Sequence, residues 1–231
     1  ENTMEPLQKW NMFTNVCRLL TVVLMFTWVL ASLGGVSLPK AAESYFNWHP
    51  LLATLAVVGF SMEGALMFRK NGVRNTLKKA HGACMSFAWL LLFAAVIVVF
   101  DFHAVMGYPH LATVHSWVGM ATFAVWTCQA VQGCVTYQFP GLAADIRAWT
   151  LPFHKFFGRT AIVMALTALI TGVFDKQRFL AGDTFASAKL LANLLSLLFG
   201  LSGIGVLFLI SDTLADSHAE AGTYSPVSQR E

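Results

Sequence analysis

Apolar residues along this chain gather into six runs of about 20, separated by shorter polar stretches. A helix rises about 1.5 Å per residue, so each run is long enough to cross roughly 30 Å of hydrocarbon. The pattern predicts membrane-spanning helices over 12–33, 49–68, 80–100, 112–135, 152–174 and 188–210. The connections are too short to house another domain. Residues 1–231 therefore read as one all-α integral membrane domain with a short polar start and a polar, disordered tail over 213–231. The first run competes with a secretory leader, because ASLGG at 31–35 carries small residues of the kind cleavage sites use. Its apolar core is longer than a leader's, and it is taken as a span.

Composition supports the bilayer. Hydrophobic residues make up 56% of the chain and charged residues 12%, against about 25% charged in an ordinary soluble domain. The four cysteines, Cys17, Cys84, Cys128 and Cys134, lie in or at the edge of apolar runs. No zinc-type spacing joins them, so they are expected to serve as small apolar side chains.

Charge matters here through its placement. The net charge is only +3, yet RKNGVRNTLKK between the second and third runs holds Arg69, Lys70, Arg74, Lys78 and Lys79 without an acid. Arg147 and Lys155 lie between the fourth and fifth runs, whereas DFHAVMGYPH between the third and fourth has no Lys or Arg. Basic loops stay in the cytoplasm, which predicts that both termini are cytoplasmic. Most of these cations can be topology signals or contacts to anionic lipid. No nucleic-acid partner is expected.

The chain has seven histidines. His218 falls in the tail, and His103 and His110 in the outer connection. The other four, His49, His81, His115 and His154, each sit within the first few residues of runs two to five. An imidazole in such apolar surroundings is costly unless something binds it. Consecutive spans alternate direction, so helix parity pairs His49 with His115 near the outer surface and His81 with His154 near the inner one. Each pair comes from different helices at similar depth, as two axial ligands of one flat macrocycle require. Helices two to five would then form a central four-helix bundle with ligands projecting inward.

Metal or proton transport without haem is the rival reading, since intramembrane histidines also serve as relays. Such pathways usually recruit carboxylates, and the only acid well inside runs two to five is Glu63. Haem fits better. With both axial positions filled the iron can only change oxidation state, which makes the expected function electron transfer. The two irons would stand roughly 20–25 Å apart along the membrane normal. Gly82, Gly119 and Gly158, one or four residues after three of the histidines, could admit a flat ring or simply pack helices.

Across runs two to five the residues resemble the cytochrome b561 family of ascorbate-dependent transmembrane oxidoreductases. The likeness rests on WHP at 48–50, ALMFR at 65–69, KKAHG at 78–82, VFDFH at 99–103, VHSWVG at 114–119 and RAWTLPFH at 147–154. It implies six helices, two haem b with the pairing above, and a homodimer. It also implies that cytoplasmic ascorbate supplies the electron and that monodehydroascorbate or a ferric chelate receives it across the membrane. Matching positions assign Arg74, Lys78 and Arg147 to the ascorbate site, where cations attract and orient an anion. Arg74 stands where some members carry lysine. His103 matches a histidine of the acceptor site. Ala112, Thr113 and Val114 replace the family's usual Tyr-Ser-Leu, which alters the outer substrate pocket. The plasma membrane, a secretory vesicle, a lysosome or a vacuole each offers a suitable acceptor side. GLSGIG, residues 200–205, has small-residue spacing that could support helix association.

Overall fold

The computed structural model describes residues 6–40, 42–139, 141–178, 180 and 185–211. The tail over 213–231, with His218, lies outside them. Among the described residues there is no strand, and six helical segments are long and apolar enough to cross a membrane. They are α1 (Pro6–Ser32), α2 (Glu43–Arg69), α3 (Arg74–Met106), α4 (Val114–Gln138), α5 (Ala144–Gln177) and α6 (Phe185–Leu209). The chain is thus an all-α, multi-pass membrane protein.

Several helices outrun the apolar runs that predict them. α3 has 33 residues and α5 has 34, about 50 Å each, so both project beyond the hydrocarbon. Hydropathy reports where the lipid ends, whereas backbone hydrogen bonding continues through any residues that tolerate a helix. Arg74, Lys78 and Lys79 therefore lie on the first turns of α3 rather than in a loop. Arg147 is in the first turn of α5, and His103 is in the last turn of α3 rather than in the outer connection. Gly107 stops α3 in the left-handed conformation (φ 70°), its N–H bonded to the His103 carbonyl. Thr113 and Ser116 then start α4 with a reciprocal capping box.

α2, α3, α4 and α5 pack in cyclic order, and α1 and α6 pair with each other against α2 and α5. On α3, His81, Ala88, Ala95 and Phe102 recur every seven residues and form one stripe, with Ala88 and Ala95 fully buried. Outward positions such as Leu90, Ile97 and Val131 stay exposed and supply the lipid-facing surface. Cys17, Cys84, Cys128 and Cys134 are all free thiols. Two of the three glycines of GLSGIG, Gly203 and Gly205, pack against other helices of the chain. A Cβ on Gly203 would stand 2.2 Å from Leu166 Cδ1 on α5, and one on Gly205 would stand 2.3 Å from Thr14 Oγ1 on α1.

A buried cation holds α1 to α2. From Leu55 to Ser61, α2 is π-helical, which leaves carbonyls without their usual partners. The Arg18 guanidinium donates to the Val58 and Gly59 carbonyls, both at 3.1 Å, and to Asn15 Oδ1 and Glu63 Oε2, both at 2.9 Å. Lys70 binds the other Glu63 oxygen. Every charge in this group has a partner, as burial in apolar surroundings requires. Removing one member leaves the others stranded, so Arg18→Ala should cost about 3–5 kcal/mol. Arg18→Ala/Glu63→Ala should cost less than the two single changes added. Unfolding in detergent measures this, and strictly additive losses would count against a coupled pair.

Candidate functional site

The four histidines predicted from helix parity meet in two pairs. His49 on α2 and His115 on α4 have ring centroids 5.9 Å apart with planes at 83°. His81 on α3 and His154 on α5 are 6.3 Å apart with planes at 72°. The pairs lie toward opposite ends of the bundle, since α2 and α4 begin where α3 and α5 end.

Each ring is oriented the same way. Nδ1 of His49 faces the Ala95 carbonyl at 2.9 Å, that of His81 the Gly64 carbonyl at 2.8 Å, and that of His115 the Ala168 carbonyl at 2.8 Å. His154 Nδ1 faces the Gln132 side-chain oxygen at 2.7 Å. A carbonyl oxygen only accepts, so Nδ1 carries the proton and Nε2 keeps its lone pair. This second contact is what fixes tautomer and ring direction in metal-bound histidines.

The spacing fits a metal between the rings. Two imidazoles on opposite sides of one ion, each at about 2.0 Å, put their ring centroids roughly 6 Å apart. Among the described residues no group of three or more His, Cys, Asp or Glu could hold an ion alone. Two imidazoles with space between them suit a metal whose further donors a planar cofactor would supply. Gly119 and Gly158, one turn after His115 and His154, each face space where an added Cβ meets no atom within 4 Å. A flat group can pass the backbone there. Gly82 serves another purpose, because a Cβ on it would stand 2.7 Å from Gln138 Nε2.

At the end of the bundle that carries the Arg-rich segment, two consecutive residues of α4 tie the basic helix starts together. Gln138 donates to the Lys78 carbonyl at 3.1 Å, and the Tyr137 hydroxyl lies 3.5 Å from the Arg147 carbonyl and 3.0 Å from Thr150 Oγ1. The Tyr137 ring also contacts His154, with centroids 5.3 Å apart. Arg74 lies one turn before Lys78 on α3. Among the described residues no carboxylate pairs with Arg74, Lys78 or Arg147. At the opposite end His103 Nδ1 faces the Pro109 carbonyl at 3.0 Å. Nearby, Lys40 bonds Asp101 at 2.6 Å, and that hydrogen bond holds its ammonium above the ordinary lysine range.

Sequence reasoning missed Gln132, Arg18 and the glycines that seat the rings. A Cβ on Gly172 would stand 2.7 Å from His115 Cε1, and one on Gly133 would stand 3.3 Å from His154 Cε1. An amide in an apolar helix and an arginine inside a span are visible signals. The glycines carry none, because only the approach of a side chain from another helix singles them out.

Fold and site define an α-helical membrane protein with an inward-facing pair of imidazoles toward each end, of a kind that holds planar metal groups between helices. A family model described as eukaryotic cytochrome b561 matches residues 48–180, more than half of the chain and all four histidines. The chain belongs to this family of b-type haem proteins. It is 28% identical to the transmembrane ascorbate-dependent reductase CYB561 of Mus musculus over 204 residues, 86% of this chain and 81% of that one. It is 29% identical to the transmembrane ascorbate ferrireductase 2 of Arabidopsis thaliana over 171 residues, covering 73% and 74% of the two chains. The lysosomal membrane ascorbate-dependent ferrireductase CYB561A3 of Bos taurus is 28% identical over 207 residues, covering 84% and 78%.

The glycine geometry gives a direct test. Gly172→Ala should destabilise the protein by about 1–3 kcal/mol, because the methyl overlaps the His115 ring. Gly200→Ala, where an added Cβ meets nothing, should be neutral or slightly stabilising through helix propensity. Equal unfolding midpoints for both variants would contradict the packing of His115 on α5.

Proposed function

We propose that this protein is an ascorbate-dependent transmembrane oxidoreductase. One electron at a time passes from cytoplasmic ascorbate to monodehydroascorbate or a ferric chelate on the opposite side. His49 with His115, and His81 with His154, each hold one haem b, so the chain carries two. The observation that carries this reading is the pair of imidazole clamps, each ring locked through Nδ1 with Nε2 free to ligate. Haem, when bound, would supply a one-electron ferric/ferrous couple.

The protein's own residues do the remaining work. Arg74, Lys78 and Arg147 attract the ascorbate anion and orient it with directed donors beside His154. Tyr137 and Gln138 bond the main chain at the starts of the two helices that carry these cations. The proton that ascorbate loses on becoming its radical leaves to the water at this end. The helices around each imidazole pair fix ring orientation, which tunes the potentials. His103 serves the acceptor at the far end. The basic segments support a cytoplasmic position for that ascorbate end and for both termini. The family resemblance extends the reading to a single domain assembled as a homodimer.

Variants in sealed vesicles test this. His81→Ala and His154→Ala should each remove one haem and block rapid reduction by ascorbate. His49→Ala and His115→Ala should each remove the other haem and leave rapid reduction of the remaining one intact. Loss of haem from His81→Ala and His115→Ala with none from His154→Ala would overturn the pairing. Lys78→Ala or Arg147→Ala should raise the ascorbate concentration for half-maximal reduction about tenfold, the loss of one charge-assisted contact of roughly 1.5 kcal/mol, with both haems retained. An unchanged dependence would remove these residues from the site. A colourless preparation that transports a metal ion would favour the transport reading.

A further inference from the structure

His110 is a second imidazole at the acceptor end, and its surroundings set it apart from an ordinary surface histidine. Its ring stacks on His103 with centroids 5.7 Å apart and planes at 25°. Phe100 covers it at 4.8 Å and 13°. His103 has the same arrangement as the four paired histidines, with Nδ1–H donated to a carbonyl, here that of Pro109, and Nε2 left as a lone-pair donor. The residue that supplies that carbonyl directly precedes His110, so one short turn both orients His103 and carries its neighbour. Asp101, the closest acid along the chain, is engaged by Lys40, which leaves the imidazoles as the available donors.

This place is also joined to the half-buried His49–His115 pair by rings. His49 contacts Phe46 at 5.7 Å, Phe46 contacts Phe102 at 5.4 Å, and Phe102 contacts Tyr108 at 5.8 Å and His103 at 6.2 Å. A metal ion held at His103 would therefore sit a few side chains from His49. The connection carrying His110 has no Lys or Arg, and a pair of imidazoles suits borderline transition metals, copper above all.

We infer that His103 and His110 together form a two-imidazole site for a transition-metal ion at the acceptor face, and that this chain delivers electrons to a directly coordinated metal. His103 ligates through Nε2. His110, exposed and at the surface, turns within the stack to bring a ring nitrogen to the same ion, and water or a partial chelate fills the other positions. The inference rests on the electron-transfer reading above and specifies its acceptor. The redox balance is one electron for one metal ion. Ascorbate loses an electron and a proton to become its radical, and Cu(II) becomes Cu(I), with no bond made to the protein's carbon framework.

The test uses the haem-loaded full chain in a His218→Ala background, so that the tail imidazole does not contribute. Titration with Cu(II) alone, in the oxidised protein and without ascorbate, should fill one site per chain, and paramagnetic resonance should show two coordinating imidazole nitrogens. His103→Ala and His110→Ala should each weaken that site at least tenfold. His110→Phe keeps a ring in the stack and loses the nitrogen. It should retain the fold and the ascorbate reduction of the haems, yet bind copper as weakly as His110→Ala. Copper binding restored by phenylalanine, a single coordinating nitrogen, or equal affinity in all variants would overturn the inference. Because the titration needs no turnover, its failure leaves the ascorbate reading standing. Failure of ascorbate to reduce the wild-type haems would sink that reading whatever copper does.

Discussion

The arrangement depends on one hydrogen bond made four times. An imidazole inside a membrane can rotate and exchange tautomers, and either freedom spoils it as a ligand. Donation of Nδ1–H to Ala95, Gly64, Ala168 or Gln132 removes both freedoms together. Each of these acceptors belongs to a helix other than the histidine's own, so the contact that aims the ring also fixes the distance between two helices. An unmade bond to a buried donor costs about 1–3 kcal/mol, which makes helix position and ring orientation a single condition.

The rest of the bundle can be understood as meeting that condition. Small residues let the helices approach: Ala88 and Ala95 line the α3 stripe, and Gly172 leaves the hollow that His115 enters. The π-helical stretch of α2 shifts the register between His49 and Gly64 relative to a regular helix. Arg18 satisfies the carbonyls this stretch frees, and it reaches Glu63, the neighbour of the very residue whose carbonyl aims His81. α1 thus supports the site from outside the ring of histidine-bearing helices.

Much of this was legible in the sequence. Hydropathy located all six spans, and alternation of helix direction sorted four histidines into the pairs that stand 5.9 and 6.3 Å apart. Boundaries were less legible, because helices α3 and α5 continue through Arg74 to Lys79 and Ala144 to Thr150 once they leave the lipid. The partners of the rings could not be read, since Gly64, Ala95 and Ala168 act through main-chain carbonyls that every residue possesses. Gly82 stands beside His81 in sequence yet faces Gln138, while Gly172 and Gly133, both far from any histidine in sequence, lie against the His115 and His154 rings.

The central claim is that each imidazole pair holds one haem, and counting haem tests it most directly. Protohaem measured as its pyridine adduct, against protein by amino-acid analysis on the full chain, should give two per chain. One haem per chain, or none, would contradict the account.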